Sequence, residues 1–459
     1  MEKKKYRIEK DLLGEEKIPV DAYWGIHTLR AMNNFRISGY PVNPGFIKAL
    51  AVVKKACCLA NAELGYLEER KAKAIEIACD GIIGGEFGEQ FPLDALQGGA
   101  GTSTNMNMNE VVANRAIEIL GGEKGDYRVI HPIEDVNRHQ STNDVYPTAL
   151  KIACIRRLRD ISKEISGTQA EFQKKEKEFA SIVKVGRTEL QEAVPLTLGV
   201  EFGAFAEAIA RDRWRTFKSE ERLRTVNAGG TAVGTGLTAP RAYIFLIIEK
   251  LREVTGMGLA RAENIPDATA NTDCFVEVSG ILKAHACNLI KISGDLRLLH
   301  FLREIELPAV QAGSSIMPGK VNPVVLEAVI QSALAAVSHD WTITEACSRS
   351  TLQINEFMPL LSWAMLGSLD LLCAANQSLS GHAACIRANE AKCREYLERS
   401  PVIITALLPH TGYERAEELL KEFNSSGRES LKDFLVDKLG KDLIDKTFAP
   451  GNLTSLGYK

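Results

Sequence analysis

Hydrophobic positions recur every three to four residues through most of this chain, so helix is the first expectation. From Phe46 to Leu64 they trace one helix, with Gly65 as its stop. Asn109 to Leu120 repeats the pattern and runs into Gly121-Gly122. The strongest signal begins at Tyr146 and lasts to about Ile182, interrupted only by Pro147 near its start and by Gly167. Leu150, Ala153, Ile155, Leu158, Ile161 and Ile165 form its apolar stripe. The rod it predicts is about 50 Å long at 1.5 Å per residue. Thr197 to Val226, Asp273 to Glu304 and Val324 to Leu379 give further long tracts. Such lengths predict a bundle of parallel rods. Wide apolar faces on rods are commonly buried against other copies, so an oligomer is expected.

The first 145 residues are more broken, with turns rich in Gly, Pro and Asn at 39–45, 84–93 and 98–105. Beyond about residue 390 the chain becomes charged and predicts short helices. The expected division is a mostly helical N-terminal domain (1–145), a central long-helix bundle (146–390) and a small C-terminal helical domain (391–459). A chain of 459 residues exceeds what one core usually serves.

Composition removes several function classes. A net charge of −3 gives no electrostatic case for nucleic acid or an anionic membrane. No run of about 18 uninterrupted apolar residues predicts a membrane span. Lys3, Lys4 and Lys5 have no apolar core behind them, so no signal peptide is expected and the expected location is cytoplasmic. The ten cysteines include no CxxC pair, and Cys154, Cys287 and Cys373 lie in apolar helical runs; they read as buried, reduced thiols. The eight histidines show no HxxxH or HxH spacing, so no metal site is expected. No cofactor fingerprint is visible, and Gly234-Thr235-Gly236 reads as a turn because no strand signal precedes it.

The candidate chemistry lies in loops at the ends of the rods. Residues 313–323 read Gly-Ser-Ser-Ile-Met-Pro-Gly-Lys-Val-Asn-Pro. Two glycines and two prolines rule out regular structure there. Ser314, Ser315, Lys320 and Asn322 offer a hydroxyl as base or nucleophile, a cation for a carboxylate, and donors for its oxygens. Three more polar segments share this character: Gly98 to Asn105, Gln140-Ser141-Thr142-Asn143-Asp144, and Gly186-Arg187-Thr188-Glu189-Leu190-Gln191. Each alone also reads as a helix cap or a turn. Together, at the ends of packed rods, they describe a hydroxyl-rich site for a small dianion with one cation.

These segments resemble the aspartase/fumarase superfamily, and the resemblance extends over essentially the whole chain. The loop at 313–323 looks like the superfamily signature. Glu9 to Gly14 and Ala22 to Arg30 resemble the aspartate ammonia-lyase N-terminal pattern. Thr102-Ser103-Thr104 stands where class II fumarases usually read Thr-Gln-Ser, and Ser141-Thr142 where they usually read Ser-Ser. Val324-Val325-Leu326-Glu327 is closer to the ammonia-lyase branch than to the fumarase Thr-Gln-Cys-Glu.

The resemblance implies an all-α, three-domain aspartase/fumarase-like fold. Its central long-helix bundle would associate into a homotetramer with active sites shared between subunits. The implied reaction is reversible elimination of ammonia from L-aspartate to give fumarate, through an aci-carboxylate, on a small dicarboxylate substrate and without a cofactor. It implies Ser314 as general base. Thr102, Ser141, Thr142 and Ser315 match the pocket for the β-carboxylate, and Lys320 and Asn322 match the holders of the α-carboxylate. Asn143 and Thr188 match positions near the leaving amino group; Ile316 and Met317 are counted with the substrate-binding residues. Many members carry His after Gly-Arg-Thr and some aspartases Gln, whereas this chain has Glu189. A carboxylate there pairs with the substrate's ammonium, and it also repels the substrate's carboxylates. His131 to Asp135 resembles a secondary dicarboxylate-binding segment of fumarases, with no catalytic role expected. The alternatives are a class II fumarate hydratase, a lyase for another amino-dicarboxylate, and a non-catalytic bundle that keeps the scaffold.

Overall fold

The apolar periodicities become helices close to where they are drawn in the computed structural model, which describes residues 6–457. The lysines at 3–5, on which the signal-peptide expectation rests, lie outside the described residues. The first long helix is Pro44–Glu63. The Asn43 side chain accepts from the Gly45 and Phe46 N–H groups, and Pro44 sits where its missing N–H is not needed. Gly65 follows in the left-handed conformation. The long rods are Thr142–Glu178, Leu198–Leu223, Asp273–Phe301, Val324–Ser348 and Met358–Ala384. Every residue of the predicted stripe from Leu150 to Ile165 is buried.

The chain divides into two compact units, and all five division points fall inside the long rods. One unit comprises the chain as far as Ser162, then Arg215–Ala284 and Ala335–Leu372. In it helix Pro44–Glu63 packs against Glu69–Gly84 and Arg241–Thr255, and Glu69–Gly84 packs against Thr102–Ile119. Phe46, Leu50, Ile75, Val111, Ile117 and Leu251 are wholly or almost wholly buried there. The antiparallel hairpin Tyr6–Asp11/Gly14–Pro19 precedes helix Ile26–Asn34. The free N–H groups at that helix's start are taken by two buried carboxylates: Ile26 donates to Glu9, while Gly25, His27 and Thr28 donate to Glu110.

The other unit comprises Lys163–Trp214, His285–Leu334 and the chain from Cys373 onward. Phe172, Phe179, Phe202 and Phe205 stack there at centroid distances of 5.1–6.1 Å. The short helices after residue 390 bury a core of their own around Ile404, Leu407, Leu419, Leu435 and Ile444. A fully buried polar chain ties three rods together: His285 Nδ1 lies 2.9 Å from Asp212, and Asn376 lies 2.7 Å from His285 Nε2.

Several expectations need correction. The tract from Val324 to Leu379 is two helices, broken at 349–357. Leu352 adopts a left-handed conformation there, Thr351 pairs with Ile354, and Asn355 turns its amide onto Thr272 and the Ala346 carbonyl. The helix expected from Asn109 begins at Thr102, so that polar segment forms the first helical turn itself. The expected helical fold class holds, and four two-stranded pairings add to it among the described residues. Cys154 and Cys373 are buried as expected, but Cys287 is exposed; no disulfide joins any of the ten cysteines. Helix Met358–Ala384 is long and apolar enough to cross a membrane, yet 67% of its apolar window is buried within the protein. Its Asp370 accepts from the Arg157 side chain at 2.7 Å.

Candidate active site

The signature loop is folded around its first serine. Ser314 Oγ accepts backbone hydrogen bonds from Ile316 (3.1 Å) and Met317 (2.9 Å). Two amide dipoles therefore point at the oxygen expected to act as base, and such donors favour its charged form. The neck of the loop is closed by Gly313 donating to the Lys320 carbonyl at 2.7 Å and Asn322 Nδ2 donating to the Gly313 carbonyl at 2.7 Å. A Cβ on Gly313 would lie 2.7 Å from the Lys320 oxygen and 2.9 Å from the Asn322 nitrogen, so only glycine permits this closure. Ser314, Ser315, Lys320 and Asn322 are thus brought onto one small loop. Ser314 is half-buried, whereas Ser315, Ile316, Met317 and Lys320 are exposed. One N–H of Asn322 is committed to the neck, and the second remains for a ligand.

Thr188 and Glu189 lie in the same unit, at the tip of a hairpin that periodicity did not reveal. Strands Val183–Thr188 and Gln191–Thr197 pair with Thr188 opposite Gln191, leaving Glu189-Leu190 as a two-residue turn. Both turn residues have positive φ, +51° and +63°. That is the geometry a tight hairpin demands, but it usually selects Asn-Gly. Holding two ordinary side chains in it costs about 1–2 kcal/mol each. Strain of this kind is kept where a side chain must be aimed.

The remaining candidates belong to the other unit. Ser141 caps the longest helix: its Oγ accepts from the Asn143 N–H, and Asp144 reaches back to the Ser141 N–H. Gly101, left-handed, leads directly into Thr102, and a Cβ there would strike the Tyr146 ring at 2.3 Å. This contact sets the start of helix Thr102–Ile119 beside the start of helix Thr142–Glu178. One turn on, Asn105 Nδ2 donates to Thr142 Oγ1 at 3.1 Å. Thr102, Ser141 and Thr142 therefore gather at two adjacent helix N-termini, where backbone N–H groups and helix dipoles favour an anion. Asn143 is partly committed, since its Nδ2 donates to the Ala232 carbonyl at 2.7 Å.

A buried polar layer behind this cluster carries groups the sequence did not single out. Lys54 is wholly buried and donates to Asn137 (2.9 Å) and Gln140 (2.7 Å), directly behind the Gln140–Thr142 turn. Burial pushes its ammonium down to about 8. Asp144 accepts from the N–H groups of Ser141, Gly229 and Thr231, but burial still pushes its carboxyl up to about 6. Lys54 stands mid-helix in an apolar run, where only its charge among alanines and cysteines could have marked it.

The Asp144 shift has a testable sign. Its folded value lies above the ordinary 3.8, so folding favours the protonated form. Its contribution is unaltered below about pH 4 and declines as pH rises to 6, by roughly 3 kcal/mol. Thermal melts of the wild type and Asp144→Asn at pH 4 and pH 6.5 isolate this slope. The gap between the two proteins narrows at pH 6.5; a gap independent of pH contradicts the assignment.

A cavity of about 660 Å³ is lined by Lys124, Tyr127, Arg128 and His131 among others, and by none of the serine, threonine, lysine or asparagine candidates. His131 Nδ1 accepts from the Ile133 and Glu134 N–H groups and caps the single π-turn Pro132–Val136. Among the described residues no cluster of three or more His, Cys, Asp or Glu is arranged to hold a metal.

Comparison with known proteins adds independent findings. Residues 14–337 match the lyase family. An aspartate ammonia-lyase of Bacillus sp is 45% identical, covering 98% of each chain. That of Bacillus subtilis strain 168 is 44% identical over 99% of this chain and 97% of its own. Among solved structures, a fumarate lyase:delta crystallin of Brucella melitensis bound to cobalt superposes with a TM-score of 0.94 at 45% identity, covering 98% of this chain and all of that one. A class II fumarase of Schistosoma mansoni superposes with a TM-score of 0.91 at 28% identity, covering 97% and 98%.

Proposed function

This chain belongs to the aspartase/fumarase lyase family, and from that premise we propose how its residues act. It is a carbon–nitrogen lyase that eliminates ammonia from L-aspartate, reversibly, to give fumarate. Identity of 45% to an ammonia-lyase over the full chain, against 28% to a class II fumarase, separates the two branches.

The hard step is removal of the C3 proton, which is far less acidic in water than a serine hydroxyl. It becomes accessible only if the dianionic aci-carboxylate that forms is stabilised more strongly than the substrate. Ser314 takes that proton. The observation that carries this assignment is the pair of backbone N–H groups on its Oγ, which hold the oxyanion a serine needs to act as a base. Thr102, Ser141, Thr142 and Ser315 donate to the β-carboxylate as its second negative charge develops. Lys320 and the free N–H of Asn322 hold the α-carboxylate. The C2–N bond then breaks, ammonia leaves near Asn143 and Thr188, and the charge returns to give the fumarate dianion.

The Ser314 and Thr102–Thr142 clusters come together in a homotetramer whose sites are shared between subunits. Support comes from large apolar side chains left exposed on the long helices: Trp214, Phe217, Phe301 and Trp341. A cytoplasmic location belongs to the same reading, supported by ten cysteines that form no disulfide.

Glu189 pairs with the substrate's ammonium and favours an amine over water as leaving group. Glu189→His then lowers kcat/KM for aspartate by roughly tenfold, about the size of one charge-assisted hydrogen bond. Unchanged aspartate kinetics in that variant removes the assignment. The activity itself is tested by following fumarate absorbance with L-aspartate and with L-malate. Turnover of malate in preference to aspartate supports the hydratase instead.

A further inference from the structure

The strained Glu189-Leu190 turn persists only if its surroundings impose it. The strand leading into it shows how. Lys184 and Arg187 are three residues apart and would face opposite sides of a regular strand. The pairing register shifts between Val185 and Gly186, where Val194 of the facing strand is the extra residue of a bulge, and beside it both cations reach the same partner. Gly186 is required for it, because a Cβ there would lie 2.6 Å from the Val194 carbonyl oxygen.

Both cations meet one carboxylate. Arg187 Nη1 donates to Glu304 Oε1 at 2.6 Å, and Lys184 Nζ lies 2.9 Å from Oε2, off the line of a good hydrogen bond. Glu304 is wholly buried. Its backbone is pinned at the end of helix Asp273–Phe301: its N–H donates to the Leu299 carbonyl, and its own carbonyl accepts from Asn389. Lys184 has a second carboxylate in Glu201, at 2.7 Å. Arg187 meets no carboxylate but Glu304 among the described residues, and its other face lies 5.2 Å from the Tyr396 ring centre.

We propose that Glu304 is a positioning residue for the reaction: through Arg187 it fixes the strand Val183–Thr188 beside the bulge and so aims Thr188 and Glu189 at the substrate's amino group. The proposal rests on the reading that this turn meets the amino group. A fixed, buried anion with a single short contact to the residue before Thr188 leaves the tip little freedom.

The test compares Glu304→Gln with Glu201→Gln in the full-length enzyme. The double variant Lys184→Met/Glu304→Gln is included because it removes one buried cation together with the buried anion, so the net charge around the strand is kept. Two readouts are taken: aspartate kinetics, and deuterium exchange of the 183–197 amides by mass spectrometry. Both Glu304 variants raise KM at least tenfold with kcat within about threefold, and their 186–192 amides exchange at least tenfold faster while the rod helices stay protected. Glu201→Gln leaves KM within twofold. A merely structural role lowers the active fraction, and so kcat, with KM unchanged; that result in a folded Glu304 variant overturns the proposal, as does unchanged exchange at the hairpin. Faster exchange with unchanged KM also overturns it, since the tip would then be aimed at nothing the substrate needs. Absence of aspartate turnover in the unsubstituted enzyme is the separate outcome that sinks the activity itself.

Discussion

Replacing Ser314 by alanine lowers kcat for L-aspartate by roughly a thousandfold, within the range measured when a positioned base is lost. The size follows from what remains. The carboxylate-binding hydroxyls, Lys320 and Asn322 stay in place, so substrate still binds, and KM moves by less than about threefold. The Ile316 and Met317 N–H groups lose only an acceptor on a solvent-facing loop, where water replaces it, so the melting temperature is unchanged. Fumarate absorbance and a thermal melt on the same preparation check both parts. A variant that keeps more than a tenth of wild-type kcat places the base elsewhere.

Replacing Gly313 by alanine disables the same loop without touching any reacting group. The added methyl meets three backbone atoms, the Lys320 oxygen at 2.7 Å, the Asn322 nitrogen at 2.9 Å and the Val321 Cα at 3.0 Å, and no side-chain rotation relieves them. The neck must open, and Lys320 and Asn322 then shift relative to Ser314. A displacement of about 1 Å in catalytic groups costs on the order of a hundredfold in rate, and that is the expected loss in kcat/KM. Gly319→Ala is the control. Its φ is +80° but nothing lies near the added carbon, so it costs about 1 kcal/mol of local strain and leaves activity within severalfold. Equal losses in the two variants would mean that loop flexibility matters and neck closure does not.

The rods were legible because a 3.6-residue period survives in any helix with one buried face, and the stripe from Leu150 to Ile165 is such a face. The break at 349–357 was not, because it depends on Asn355 finding Thr272, eighty-three residues away. The Val183–Thr197 hairpin was missed for a different reason: Glu-Leu is a poor turn sequence, and the conformation is imposed from outside it. Family resemblance named the proposed reacting groups, but not what else each one does. Ser141 is also a helix cap, Asn143 is partly spent on the Ala232 carbonyl, and Asn322 closes the loop that carries it. Gly313 counted in the sequence only as a breaker of regular structure; its close packing against the Lys320–Asn322 backbone makes it the point where the loop is held. The buried layer of Lys54, Asn137, Gln140 and Asp144 was hidden because no local pattern marks a polar group that folding places in the interior.

The central claim is that the Ser314 hydroxyl removes the C3 proton, and hydrogen exchange at C3 tests it without requiring ammonia release. L-Aspartate is incubated in D2O with the wild-type enzyme or Ser314→Ala, and the C3 hydrogens are followed by NMR, with calorimetric titration confirming that the variant still binds aspartate. The account predicts exchange by the wild type and none above background by the variant. Exchange at an undiminished rate in Ser314→Ala would contradict it.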